Sequence, residues 1–231
     1  EADLLPSLIV DRYGSHLVLQ TLSQGMDRLL PVVTSVLTEL VGPAGILARN
    51  DPRVRTLEGL DQKVEVLAGV VPEMVPVREG PILFEVDLRH GQKTGLFLDQ
   101  RENREAAGRY ARGRLLDCFS YHGGFALRLA GQCAEAEAID ISPEAVTRIE
   151  ANAARNGVSN LQAREANVFD ELRRLEKAGE RYDTIVLDPP AFPKNKGSNP
   201  NPPAGYKEIN LRAMRLLAPG MCSSCLARAR M

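Results

Sequence analysis

Hydrophobic runs long enough to cross a bilayer are missing from this sequence: no stretch approaches the roughly 20 apolar residues a membrane helix needs. A basic-then-apolar leader is missing too, so the expected compartment is the cytoplasm, with no membrane partner. The 231 residues open on Glu1 rather than Met, which points to further sequence upstream. Cysteine is scarce. Cys118, Cys133, Cys222 and Cys225 are too few and too unevenly spaced for a disulfide framework. Cys222 and Cys225 form a lone C-x-x-C with no second pair and no neighbouring His. Zinc takes four ligands, so no metal site is expected. An excess of one charge is also lacking. The formal net charge of -1 removes the signature of an overall basic nucleic-acid binder but leaves room for a local patch. What is there, 44% hydrophobic and 26% charged residues, is ordinary globular composition, sufficient for one large domain or two small ones with real cores.

No internal repeat is found, and two regions differ in pattern. In the first, "SLIVDRYGSHLVLQTL" reads as two short strands around Tyr13-Gly14. "DRLLPVVTSVLTEL" carries apolar residues at helical spacing and stops near Gly42-Pro43. "GILARN", "KVEVLAGV" and "PILFEVDL" are strand candidates, and the stretch from Arg49 to Asp61 is polar. In the second region strand and helix alternate. A helix is expected over 99–112 with Asp99 as N-cap and Glu102 three residues on. Strands are expected over 114–118, 136–140 and 161–166 and in "YDTIVLD". Helices are expected over 124–131 and 169–177, with another opened by Ser142-Pro143-Glu144 and closed at Asn156-Gly157. The fold class is therefore α/β, a mainly parallel sheet with helices on both faces, preceded by a small α+β domain. The division is placed at residues 1–90 and 91–231. After Pro219-Gly220 the next strand of the sheet is due, but the chain reads "MCSSCLARARM", so the C-terminal part is expected to be incomplete.

Open α/β sheets bind ligands beyond the carboxyl ends of their strands. Four strand ends here carry polar groups. Asp117 leads into Phe119-Ser120-Tyr121-His122-Gly123-Gly124, where the two glycines let backbone approach a ligand. Asp140 closes the next strand, placed to accept both hydroxyls of a ribose, and Asn167 follows the third, placed to meet an adenine edge. Asp188-Pro189-Pro190 follows the fourth. A dinucleotide fold would want G-x-G-x-x-G to seat a pyrophosphate, and Phe119 and Tyr121 stand where two such glycines would be. S-adenosylmethionine has no phosphate and suits this turn better. A generic α/β domain with polar strand ends is the competing reading, weaker for four such ends in order than for one.

"LDPPAF" ends a buried strand in Asp188, and Pro189 and Pro190 then stiffen the backbone. Asp188 and the neighbouring carbonyls can face the planar edge of a nucleobase while Phe192 stacks on it. A proline-stiffened loop exit is the plainer alternative. The following loop holds Lys194, Lys196 and Lys207, which with Arg212 and Arg215 form a basic rim. Phosphate contact and a solvated loop are both open for it.

The segments "GQKTGLFLDQRENR", "LLDCFSYHGGFAL", "AIDISPEAV", "DPPAFPKNK" and "YKEINLRAMRLLAPG" resemble the bacterial S-adenosylmethionine-dependent methyltransferases of the 23S rRNA cytosine-C5 type. The resemblance runs to about Gly220. It implies a Rossmann-like class I methyltransferase fold, an RNA partner, and a chain that holds the family's central and catalytic domains without its RNA-binding PUA domain. A homodimer is left open. It also implies a cofactor site of Asp117, Phe119, Ser120, Tyr121, Gly123, Gly124, Asp140, Asn167 and Asp188. Lys93, Thr94 and Gln100 join that site through "GQKTGLFLDQ". Asp188 is the implied base-facing acid, with Pro189, Pro190, Phe192, Lys194 and Lys196 on the substrate side. His122 stands where the family usually has Thr, and Asn167 where it usually has Asp. Cytosine C5 is a poor nucleophile until a thiolate adds at C6. The family takes that thiolate from a Ser-Cys-Ser strand end. Here "MCSSC" puts Cys222 and Cys225 near the right distance but out of the motif, and Cys225 is the candidate. Cys118 reads as a small buried hydrophobe. Methylation of an exocyclic base nitrogen, which needs no Cys, is the alternative activity. A non-catalytic cofactor- or RNA-binding fragment is the third reading.

Overall fold

The computed structural model describes residues 4–191 and 202–219. They fall into two compact units, Glu1–Leu98 and Asp99–Met231.

In the first unit, β1 (Leu8–Tyr13) and β2 (His16–Thr21) form an antiparallel hairpin. Its turn sits at Gly14-Ser15, one residue later than the sequence suggests, with Gly14 at φ 59°. Helix α1 (Gln24–Val41) opens where Ser23 Oγ accepts the Met26 N–H and closes at left-handed Gly42. Its Leu30, Val33 and Leu37 pack on Leu17, Leu19 and Ile46 of the sheet. Strand β3 (Gly45–Asn50) lies parallel to β2, and β4 (Lys63–Gly69) returns antiparallel, giving the order β1-β2-β3-β4. A separate ribbon pairs β5 (Val75–Glu79) with β6 (Ile82–Val86). Strand β5 has no counterpart among the sequence expectations. Pro76 reads as a strand breaker, but a two-stranded ribbon leaves one side of each strand outside the ladder and tolerates it.

The first unit continues past residue 90 because the chain there is tied back to its sheet. Arg49 donates to the carbonyls of Leu88 (2.7 Å) and Gly91 (3.0 Å). The Tyr13 hydroxyl bonds Thr94 Oγ1 at 2.8 Å and accepts the Leu96 N–H at 3.1 Å. The break between units follows Leu98 rather than residue 90.

The second unit begins at Asp99, within a 3-10 turn, Leu98–Gln100, and continues into helix α2 (Arg101–Gly108). This corrects the expected helix start. Asp99 is wound into the turn and so cannot take the extended backbone of an N-cap. Gln100 occupies that position without a side-chain bond to the helix backbone, and the helix stops at Gly108. Then follow β7 (Arg114–Cys118), α3 (Gly124–Ala130), β8 (Glu135–Asp140), α4 (Pro143–Arg155), β9 (Leu161–Glu165), α5 (Val168–Ala178), β10 (Thr184–Leu187) and α6 (Pro202–Leu216). Helix α4 starts as its sequence dictates: Ser142 Oγ accepts the Ala145 N–H at 3.2 Å, and Pro143 and Glu144 fill the first turn.

The four strands are all parallel, in the order β10-β7-β8-β9. Alternation along each strand divides the core. Leu116, Cys118, Ile185 and Leu187 face α5 and α6 with Leu172, Leu175, Ile209 and Ala213. Leu115 and Val186 face the other side with Phe125 and Leu129 of α3 and Ala107 of α2. Cys118 is thus fully buried packing. At the amino ends of the strands, Arg114 stacks on Tyr182 (4.4 Å to the ring centre) and pairs with Glu135 and Glu137, each at 2.8 Å, and with Glu180. After α6 the chain rejoins the sheet, with Leu217 parallel to Tyr182 and the Ala218 N–H donating to the Tyr182 carbonyl at 2.9 Å. The "MCSSC" segment beyond lies outside the described residues. No helix among the described residues is long and apolar enough to cross a membrane.

Candidate functional site

From β7 the chain runs outward through β8 to β9 on one side, while β10 takes the other. Strand order therefore reverses at β7, the point beyond whose carboxyl end open α/β sheets bind their ligands. Asp117 and Cys118 end β7 there, and parity aims Asp117 at the α3 side, opposite to Cys118. Asp117 is 1% exposed. Its Oδ2 accepts the Ser120 hydroxyl at 2.6 Å and the Ala126 N–H at 3.0 Å, so one carboxylate oxygen pins both ends of the turn. Burial pushes its pKa up to about 7. The two hydrogen bonds pull the other way, and the nearby charges of Asp188 and Asp140 add to the rise.

The turn is held in backbone conformations that L residues rarely adopt. Phe119 has φ 62°, Tyr121 φ 56° and Gly123 φ 82°. Two non-glycine residues so placed cost on the order of 1–3 kcal/mol each, and such strain collects at ligand sites. Backbone bonds secure it: Ser120 N–H to the Ile139 carbonyl (3.1 Å), Gly123 N–H to the Ser120 carbonyl (2.9 Å), and Tyr121 N–H to Asp140 Oδ2 (2.8 Å). A Cβ on Gly123 would stand 3.2 Å from Leu127 and 3.3 Å from Ile149, so this position needs glycine for both torsion and space.

Asp140 ends β8 half-buried. Its Oδ1 accepts the Ser142 N–H at 3.0 Å while Oδ2 holds Tyr121. Each oxygen keeps a second lone pair for an incoming hydroxyl. Asn167 follows β9, but its side-chain oxygen caps α5, accepting the N–H groups of Phe169 (3.0 Å) and Asp170 (3.5 Å). Asp188 follows β10, half-buried, with Pro189 buried and Pro190 exposed. The Tyr206 hydroxyl of α6 donates to the Pro190 carbonyl at 3.4 Å. His122 is buried, its ring edge-on to Tyr121 at 4.6 Å. Burial, then the charges of Arg104 and Arg148, lower its pKa to about 3, so it is neutral near pH 7 and a weak base.

The structure thus brings Asp117, Ser120, Tyr121, Gly123 and Asp140 into one hydrogen-bonded constellation, with Phe119 and Gly124 in the same turn and Asp188 close enough to act on Asp117. Gln100 belongs to the second unit, buried, its Oε1 accepting from Asn103 at 2.6 Å. Lys93 and Thr94 belong to the first unit. There the Thr94 hydroxyl donates to Asp11 Oδ2 at 2.6 Å, and the Lys93 ammonium lies 4.5 Å from the centre of the Phe97 ring. Phe192, Lys194, Lys196 and Cys225 lie outside the described residues. One residue that the sequence reading does not single out stands beside the turn. Arg104 of α2 is 3% exposed, with its guanidinium 5.8 Å from the centre of the Phe125 ring. The signal was its helical phase: it shares a buried face with Ala107, three residues on.

A strand-end acid, a strained turn into a helix and a second acid on the adjacent strand are joined by a match of residues 37–229 to the family model for S-adenosylmethionine-dependent methyltransferases. The chain belongs to the S-adenosylmethionine-dependent methyltransferase family. Among relatives of this methyltransferase chain is the ribosomal RNA large subunit methyltransferase I of Aeromonas salmonicida. It is 41% identical over 225 residues, covering 95% of this chain and 57% of the relative. The same-named protein of Erwinia tasmaniensis is 41% identical over 233 residues, covering 97% and 59%. The chain therefore spans a little over half the length of these relatives. Among solved structures, SMU.776, described as a methyltransferase complexed with SAH, superposes at a TM-score of 0.81 with 21% identity, covering 96% of this chain and 58% of that one. Trm5b of Pyrococcus abyssi gives 0.67 at 16% identity, covering 96% and 60%. At such identities these structures speak to the fold, a Rossmann-like methyltransferase fold on a parallel sheet.

Proposed function

We propose that the second unit binds S-adenosylmethionine across the carboxyl ends of β7 and β8, and that the whole protein methylates cytosine C5 of 23S rRNA. The observation that carries the cofactor reading is the pair Asp117 and Asp140 on adjacent parallel strands, linked through the strained turn between them. The ligand this suits has a ribose to meet Asp140 and a cationic centre to offset three neighbouring carboxylates, Asp117, Asp140 and Asp188. A pyrophosphate is disfavoured by the same acidic cluster. The bound cofactor supplies an electrophilic methyl group on sulfur. Asp188, after β10 on the other side of the switch point, is placed to meet a flat base edge, with Pro189 and Pro190 fixing the backbone. Asn167 would serve at the adenine end through whatever its capping role leaves. The names of the relatives support an rRNA substrate. The first unit takes the part of the central domain and the second that of the catalytic domain. The thiolate for C6 is assigned to Cys225.

The test is methyl transfer from labelled cofactor to 23S rRNA transcripts, followed by nucleoside digestion and mass spectrometry. The expected product is 5-methylcytidine, and RNA carrying 5-fluorocytosine should be trapped covalently, with the adduct lost in Cys225→Ser. An N-methylated base formed without an adduct would replace the C5 reading by exocyclic-nitrogen methylation. Cofactor binding without transfer to RNA would leave a binding fragment.

A further inference from the structure

We propose that the outer flank of α1 is where two copies of this chain pair, their α1 helices running antiparallel about a two-fold axis near Thr34. The inner face of this helix is used within the fold, where Leu30, Val33 and Leu37 pack on the sheet. A second apolar row runs beside it. Leu29, Val32, Val36 and Leu40 are between 45% and 76% exposed. Steps of three, four and four residues keep them in one line along the helix. A single exposed apolar residue needs no explanation, but four in a row over about three helical turns mark a contact surface.

The charges beside the row say what covers it. Arg28 and Glu39 flank its opposite ends, both exposed, and helical phase puts both on its edge away from the sheet. They stand roughly 16 Å apart along the axis, too far to pair within one helix. Among the described residues neither has an ion-pair partner. An antiparallel second copy supplies both partners. It sets Arg28 opposite Glu39, Leu29 opposite Leu40 and Val32 opposite Val36, and the midpoint of each pair falls within about half a residue of Thr34. Under a two-fold axis each pair occurs twice, so one patch serves both copies. The outer edges of the two helices then meet on the same side, and the ion pairs form a rim over the apolar seam. Valine at the centre is stiff at χ1 and loses little freedom on contact. A membrane surface or a nucleic acid would want a run of basic residues on this flank, which carries one charge of each sign. Four apolar side chains and two charges cover less than the roughly 800 Å² per partner of a standard interface, so the dimer is weak, with a Kd on the order of 10–100 μM.

Sedimentation equilibrium of the full chain from about 1 to 300 μM should show wild type passing from monomer to dimer. Val32→Asp should weaken the dimer at least about tenfold by placing a charge in the seam. Arg28→Glu and Glu39→Arg should each weaken it about three- to tenfold, because like charges then face each other. Mixed together, these two single variants should associate about as well as wild type, since every facing pair is again opposite in sign. All three positions are exposed, and circular dichroism establishes that each variant is folded. A monomer throughout the range, a dimer that Val32→Asp leaves intact, or a mixture that associates no better than its separate variants overturns the proposal.

Discussion

Asp117→Asn should change how stability depends on pH, and in a direction that the buried carboxyl dictates. Asp117 is the floor of the turn, with one oxygen accepting from Ser120 and Ala126. An amide can keep both bonds through its own oxygen and donate from its nitrogen as the protonated acid does, so the substitution is close to isosteric. The native pKa is raised from 3.8 to about 7. Between those values the folded state binds more protons than the unfolded state, so this group's contribution is fully present at low pH and is lost as pH rises through about 7. The loss is about 1.4 kcal/mol per pH unit, or on the order of 4 kcal/mol in all. His122 works the other way. Its native pKa is lowered from 6.5 to about 3, so stability is lost as pH falls below about 6.5. In wild type the two slopes largely offset between about pH 4 and 6.5, and Asp117→Asn should uncover the His122 slope. Urea unfolding followed by far-UV circular dichroism from pH 4.5 to 8 measures this. Relative to wild type, the variant should gain stability steadily with pH up to about 7 and level off above it. Parallel curves for the two proteins would show that Asp117 titrates normally, and would refute the burial argument.

Two further substitutions test the scaffold. Gly113→Ala should destabilise the second unit by at least about 2 kcal/mol, because Gly113 has φ 59° and its Cβ would stand 2.0 Å from the Asp183 carboxylate that accepts the Arg114 N–H. A melting temperature equal to wild type would contradict it. Tyr13→Phe should cost the first unit about 1–2 kcal/mol by removing the hydroxyl shared by Thr94 and Leu96. The loss should appear in hydrogen exchange at Leu96, and unchanged protection there would show that the 91–98 segment is held by something else.

The second unit was legible where local chemistry decides the backbone. Leu115 to Gly131 reads as strand, turn and helix because its apolar run, paired glycines and helix formers all agree, and Ser142-Pro143-Glu144 and Asn156-Gly157 bracket α4 as written. The misses have particular causes. Strand β5 was hidden by Pro76, whose effect depends on whether a neighbour needs its missing N–H. The start of α2 was misread because Asp99 is a good cap in isolation but is wound into a 3-10 turn. In the site, the order of the strand-end acids was visible, but their hydrogen bonds were not. Nothing in the letters says that Asp140 holds the Tyr121 backbone, that Asn167 is engaged as a helix cap, or that Phe119 and Tyr121 sit at positive φ. Nor does the sequence say that the segment holding Lys93 and Thr94 folds back on Tyr13 and Arg49. Those facts depend on contacts between residues far apart in the chain.

Calorimetry of S-adenosylhomocysteine against wild type, Asp140→Asn and Asp140→Ala tests the central claim most directly. One binding event per chain is expected for wild type, weakened about 10- to 100-fold in Asp140→Ala and less in Asp140→Asn, which keeps an acceptor for Tyr121 or Ser142. Unchanged affinity in a folded Asp140→Ala would contradict a site at the ends of β7 and β8.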